Sequence, residues 1–198
     1  MTRKTPSSGA PSGNLPAWVQ SQVSPYRFAH IRGVVRTAQK LARKNKLPVR
    51  KAVLAAWFHD CAKEWTKDKT RSVLRGSPFR LDSLEKKTPA LWHPHAGAAA
   101  AWRFWKIRDP EVLEAIRCHT LGHPRMGKLA QALFVADFIE PGRKFEGVEH
   151  ARRAGTTDLR EGVLVKASLT LHKMFHKRMT IHPRLLETWN SFLRREAP

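Results

Sequence analysis

His59 and Asp60 stand side by side at the end of an apolar run, Ala52-Val53-Leu54-Ala55-Ala56-Trp57-Phe58. A helix apolar all round belongs in the interior. The pair therefore carries an imidazole and a carboxylate to a place where unpartnered polar groups are costly. Residues of the same kind recur along the chain: His30, His93, His119 and Asp137 each lie on or beside an apolar helical segment. Several helices that each deliver one such group inward build a metal site in a helical core. A single histidine on an apolar face is more often a hydrogen-bonded core residue than a ligand, but four of them with two aspartates reverse that balance. The donor set is nitrogen and oxygen without thiolate, which suits iron, manganese or nickel better than a closed structural zinc. Such a divalent centre lowers the pKa of a bound water and neutralises phosphoryl oxygens. Lys63, one turn beyond the pair, is a cation that could face a phosphate held there. No seryl or cysteinyl nucleophile triad is legible.

Helical periodicity supplies the elements that place these groups. Ile31, Val34, Val35, Ala38, Leu41 and Ala42 recur at helical spacing between Pro25 and Lys44, and the buried helix after Pro48 is expected to reach Ala62. Residues 64–92 are polar and broken by Gly76, Pro78 and Pro89, with room for one or two short helices. A helix from about Pro94 to Trp105 carries the small residues Ala98 to Ala101, which allow close approach. Asp109-Pro110 is an N-cap followed by a first-turn proline, and Val112, Leu113 and Ile116 put His119 on an apolar face. Leu129, Leu133 and Ala136 do the same for Asp137, before Glu140-Pro141-Gly142 ends the helix. Two more helices are expected over residues 158–195, around His182-Pro183. With no alternating strand pattern and no internal repeat, the expectation is all-α: one helical bundle over residues 25–195. The Ser/Pro/Gly-rich residues 1–24 read as a flexible lead, disordered or loosely packed, in which Leu15, Trp18 and Val19 could form a short docked turn.

A chain of 198 residues suits one domain with a sizeable core. No run of about 18 apolar residues is present, so no membrane span is expected, and no apolar segment follows the basic start to make a secretory signal. Cys61 and Cys118 are too few for a disulfide scaffold and read as small buried fillers in a reducing cytoplasm. The net charge of +21 belongs to the folded body, since only Arg3 and Lys4 precede residue 27. Such a field concentrates anionic substrates; it serves equally as a solvated face or as a weak nucleic-acid contact. His123, His150, His172 and His176 lie in polar or mixed surroundings and read as passengers. His95 is two residues from His93, so the two cannot face the same way on one helix.

In order, His30, His59-Asp60 and Asp137 give the pattern H…HD…D, and the chain resembles the HD-domain phosphohydrolases, most closely their YqeK-type subgroup, over about residues 24–193. The matching stretches are Arg27-Phe28-Ala29-His30, His59-Asp60-Cys61-Ala62-Lys63-Glu64, His93 with Gly97-Ala98, Ala115-Ile116-Arg117-Cys118-His119-Thr120, and Ala136-Asp137-Phe138-Ile139-Glu140-Pro141-Gly142-Arg143. The basic lead, the seven tryptophans and Pro94 depart from the pattern without removing a ligand. The resemblance implies an HD-type bundle and a symmetrical dinucleoside-tetraphosphate hydrolase that splits diadenosine tetraphosphate into two ADP. It implies a first metal, iron before manganese or nickel, on His30, His59, Asp60 and Asp137. Asp60 would bridge to a second ion at His93 and His119. Asp60 and Lys63 would be catalytic, and Arg27, Lys63, His93, His119, Thr120 and Arg143 would contact substrate. Two alternatives stand beside this: an HD phosphohydrolase of another nucleotide (a nucleoside monophosphate, a deoxynucleoside triphosphate or a cyclic nucleotide), and a basic RNA- or ribosome-binding protein. Six inward polar groups argue against pure binding.

Overall fold

The computed structural model describes residues 14–194. Among them are eleven α-helices, one 3-10 turn and no strand. The helices are α1 (Leu15–Gln20), α2 (Pro25–Lys44), α3 (Val49–Phe58), α4 (Lys67–Arg75), α5 (Ser83–Lys87), α6 (His93–Phe104), α7 (Pro110–Cys118), α8 (Lys128–Ile139), α9 (Val148–Thr157), α10 (Leu159–His176) and α11 (Pro183–Arg194), with the 3-10 turn at Pro89–Leu91. The all-α expectation holds. Ser24, Thr66, Asp82, Asp109 and Asp158 each accept a backbone N–H at the start of α2, α4, α5, α7 and α10. Such side chains satisfy amide groups that have no partner within the helix.

The fully enclosed helix is α8, not the one before His59. Every residue from Leu129 to Ala136 is buried, and α2, α3, α7, α9 and α10 surround it. In α3, Ala52, Ala55, Ala56 and Phe58 are buried, while Val53, Leu54 and Trp57 are half-buried; Trp57 stacks on Phe28 with ring centroids 6.0 Å apart. The helix also stops at Phe58 rather than Ala62. Beyond it, Cys61, Lys63 and Trp65 donate to carbonyls three residues back; His59 caps the helix with its amide still on Ala55, and both His59 and Asp60 are buried. Gly97 permits the crossing above them. A Cβ there would meet the Phe58 carbonyl oxygen at 2.5 Å.

Of the N-terminal segment expected to be loose, residues 1–13 lie outside the described residues, and residues 14–24 are packed. Asn14 caps α1, Val19 is fully buried, and the Trp18 ring lies 5.9 Å from both Phe58 and Trp105. The anchors are Leu15, Trp18 and Val19, the short docked turn that the sequence allowed for. Trp18→Ala is expected to cost about 3 kcal/mol in urea unfolding, at the low end for loss of a large aromatic because the ring is only partly buried.

At the other end of the bundle, Arg184 on α11 donates to Asp82 (2.8 Å) and Glu85 (2.7 Å). His182 joins Asp82 at 3.0 Å and His95 joins Glu85 at 2.9 Å. The guanidinium neutralises these carboxylates and ties α11 to α5 and α6. No helix among the described residues is long and apolar enough to cross a membrane.

Candidate metal centre

Four histidines reach the centre of the bundle, and each is held from behind. His59 Nδ1 lies 2.6 Å from the Ala56 carbonyl, His93 Nδ1 2.9 Å from that of Ala90, and His119 Nδ1 2.7 Å from that of Ile116. In all three the partner is three residues earlier, so the local turn alone fixes the ring. His30 Nδ1 instead faces the Glu140 carboxylate at 3.1 Å. A ring that donates from Nδ1 keeps a lone pair on Nε2, and the four Nε2 atoms converge. Those of His30 and His59 are 3.4 Å apart, and those of His93 and His119 are 3.1 Å apart. An outer carbonyl or carboxylate behind each imidazole is the usual support of a metal-ligating histidine.

Asp60 lies between the two histidine pairs. Its Oδ1 is 3.3 Å from His93 Nε2 and 3.6 Å from His119 Nε2. Its Oδ2 is 3.8 Å from His30 Nε2 and 3.9 Å from His59 Nε2. Asp137 completes the second side, with Oδ1 3.2 Å from His30 Nε2. The donor atoms therefore sort into two sets, each drawn within 4.8 Å: His30, His59 and Asp137; and Asp60, His93 and His119. All are nitrogen or oxygen. Cys61 and Cys118 are buried free thiols, and burial pushes Cys118 up to about 12, so both stay protonated. The donor set fits one or two divalent ions.

The protonation states fit as well. Burial lowers His59 to about 3, so its ring is neutral and ready to ligate. Burial alone would raise Asp60, but the facing rings of His59, His119 and His93 hold it well below the usual carboxylate range. Burial is likewise outweighed at Asp137, by the charge of Lys166, the contact with His30 and the charge of Arg143.

A cavity of about 990 Å³ opens onto this centre. Arg27, Lys63, Thr120 and Arg143 line it together with Asp60, His93, His119 and Asp137, so every expected substrate contact shares one space. Arg27 Nη1 donates to Asp60 Oδ2 at 2.8 Å. Arg143 donates from Nε to the Asp137 carbonyl (2.9 Å) and from Nη2 to Asp137 Oδ1 (2.6 Å). Lys63 Nζ is 3.2 Å from both ring nitrogens of His93, and the Thr120 hydroxyl is 3.1 Å from His119 Nε2.

The chain matches the HD domain family over residues 27–142. It belongs to that family. The stretch contains all six inward groups of the centre. A crystal structure of an HD superfamily hydrolase described as involved in NAD metabolism, from Clostridium acetobutylicum, superposes with a TM-score of 0.87 at 31% identity, covering 92% of this chain and 96% of that one. Bis(5'-nucleosyl)-tetraphosphatase, symmetrical, of Bacillus subtilis is 34% identical over 88% of this chain and 93% of its own length. The enzyme of the same name from Halalkalibacterium halodurans is 37% identical over 88% of this chain and 93% of its own length.

Several groups in the HD site escaped sequence reasoning. Lys166 is buried and donates to Asp137 Oδ2 (3.1 Å) and to the carbonyls of His119 (2.8 Å) and Phe134 (2.7 Å). Glu140, read as part of a helix stop, supports His30 and also accepts from the Gly142 amide at 2.7 Å. It lies against Gly33, where a Cβ would meet its Oε2. The helix 148–157 was missed outright. His172 and His176, read as passengers, line the cavity; their polar neighbours are its wall. His95 turns away from the centre toward Glu85, while His93 faces Asp60. Pro94 in the first turn of α6 allows this, since that position needs no amide donor.

Proposed function

We propose that this protein is a metal-dependent hydrolase of symmetrical dinucleoside tetraphosphates, cutting diadenosine tetraphosphate with water into two ADP. The observation that carries the reading is Asp60, whose two oxygens address two separate donor sets at the floor of a cationic cavity. The relatives at 34% and 37% identity carry that activity in their names. His30, His59, Asp60 and Asp137 would hold one ion, and Asp60, His93 and His119 a second. The nitrogen and oxygen donors suit iron first, then manganese or nickel. Such ions supply Lewis acidity and a nucleophilic water at neutral pH.

The chain's own groups do the rest. Hydrolysis forms one P–O bond from water and breaks the central bridging P–O bond, so charge gathers on phosphoryl and bridging oxygens. Lys63, at the edge of the second donor set, and the two arginines meet that charge. Each arginine is braced by a carboxylate through part of its fork and keeps further N–H donors for phosphate. Thr120 and the histidines complete the contact surface. Both cysteines are free thiols, in keeping with a reducing cytoplasm. A weak nucleic-acid contact is a secondary reading: Arg32, Arg36, Lys40 and Arg43 lie exposed along one side of α2, away from the cavity residues.

Product analysis tests the reaction. Metal-loaded protein given diadenosine tetraphosphate is expected to yield ADP as sole product; AMP with ATP, or no turnover, would overturn the proposal. Arg143→Ala should keep its metal and lose about 1.5–3 kcal/mol in kcat/KM, roughly ten- to a hundredfold, as for a hydrogen bond to a charged group. A change under twofold would reduce Arg143 to a brace for Asp137.

A further inference from the structure

No aspartate or glutamate precedes Asp60 in the chain. In the fold the consequence falls on α2. Beyond His30, every exposed residue of this helix is a cation: Arg32, Arg36, Lys40, Arg43 and Lys44. The first four recur at four- and three-residue steps and so form one stripe, while Ile31, Val34, Ala38 and Leu41 bury the other side. Among the described residues no carboxylate pairs with any of the four; of the cations before Asp60, Arg27 and Lys51 meet one. Lys46 and Arg50, exposed just beyond the helix, continue the run. Solubility alone does not favour this pattern. An exposed helix face gains from opposite charges one turn apart and loses from like charges there. Arg32 with Arg36, and Arg36 with Lys40, are like pairs at that spacing. Arg43, in the last turn, is favoured by the helix dipole. The rest of the stripe weakens α2 and presents a row of free donors to an anion.

We propose that this face of α2 docks the phosphate backbone of a nucleic-acid duplex without reading its sequence. The proposal deepens the weak nucleic-acid contact named above and rests on it; it is independent of the hydrolase reading, since none of the four stripe residues lines the cavity. The stripe runs about 16 Å from Arg32 to Arg43, the rise of about five phosphates along one strand. Because α2 is packed against α3 and α8, it lies along a backbone rather than inside a groove. Single strands are held on aromatic platforms, and the stripe carries no aromatic side chain. An anionic membrane surface is bound by apolar side chains as well as by charge; beyond Tyr26 in its first turn, α2 exposes no large apolar residue. The stripe also lacks a neutral side chain for the 2′-hydroxyl, the group that tells RNA from DNA. What it recognises is phosphate at duplex density.

Fluorescence anisotropy with a short labelled DNA duplex is expected to give a Kd of about 10⁻⁶–10⁻⁴ M near physiological salt. Its logarithm should rise with log salt at a slope of about 3.6, or 0.9 for each of four phosphates. Arg32→Ala/Arg36→Ala/Lys40→Ala should weaken binding by about tenfold or more at low salt and lower the slope by about 3. Turnover of diadenosine tetraphosphate should stay within about twofold. Lys67→Ala/Lys86→Ala/Lys87→Ala removes the same charge from exposed positions on α4 and α5, and should keep duplex binding within about threefold. Arg36→Glu puts an opposite charge one turn from both Arg32 and Lys40. It should lose the duplex yet unfold at higher urea than the parent, which separates lost docking from a lost fold. A parent that binds no duplex would overturn both this surface and the nucleic-acid contact on which it rests. A parent that binds while the α2 triple variant stays within about twofold, or a control triple that loses as much, would overturn the surface alone. Tighter binding to anionic phospholipid vesicles, lost in the α2 variant, would give the face to a membrane instead.

Discussion

Asp60→Ala is expected to lose both metal binding and turnover in one step. Its Oδ1 faces His93 and His119, and its Oδ2 faces His30 and His59, so its removal takes a ligand from one donor set and a facing carboxylate oxygen from the other. Loss of an outer support costs roughly ten- to a hundredfold in affinity or activity; loss of a shared ligand should exceed that. His93→Ala separates the two sets. It should halve the metal content if each set holds an ion, with His30, His59 and Asp137 retaining theirs. Glu140→Gln is the graded comparison. It keeps a carbonyl oxygen facing His30 Nδ1 but removes the charge, and should fall within the outer-support range. Asp60 also pairs with Arg27, so the variants must be shown to melt cooperatively. Metal analysis by mass spectrometry, beside ADP release, checks the set. An Asp60→Ala protein with full metal and full turnover would end the ligand assignment.

What could be read in advance follows from how each group meets its neighbours. His59, Asp137 and His119 were legible as inward groups because each follows an apolar segment: His59 after Phe58, His119 after Ile116, Asp137 after Leu133. A polar residue forced inward by helical phase is visible to one-dimensional reasoning. Lys166 was not, because α10 mixes charged and apolar residues without a clear stripe; its place depends on where α8 crosses it. Glu140 was hidden for another reason. A glutamate before proline is a plausible helix stop, and its contact with His30 spans 110 residues. The helix boundaries erred where tertiary contacts decide. No glycine or proline interrupts the chain between Phe58 and Ala62 to mark the end of α3, but the helix gives way there to turns closed three residues back. The difference between α3 and α8 is of the same kind. Both sequences are apolar, and only the arrangement of neighbours determines which is wrapped on every side.

Lys166→Met is expected to produce the largest loss of stability, and the loss should depend on metal. The Lys166 ammonium is buried and makes three hydrogen bonds, to Asp137 Oδ2 and to the carbonyls of His119 and Phe134. Burial lowers its pKa, and Asp137 opposes that by favouring the charged form. Methionine of similar length fills the space but leaves a buried carboxylate oxygen and two carbonyls without a donor. Breaking one partner out of a buried pair costs about 3–5 kcal/mol. Arg143 remains on Asp137 Oδ1, which favours the lower end in urea unfolding of metal-free protein. A bound divalent ion also offsets the charge of Asp137, and at a concentration a hundred times its Kd it stabilises by about 2.7 kcal/mol. Lys166→Met should therefore sit closer to the parent when loaded than when stripped, provided its affinity is retained. Adding Asp137→Asn to the metal-free variant should recover part of the deficit, because both ends of the pair are then neutral. A single variant within about 0.5 kcal/mol of the parent, the scale of an ordinary surface change, would mean that Lys166 contributes no charge to the fold and that Asp137 is held by Arg143 and His30 alone.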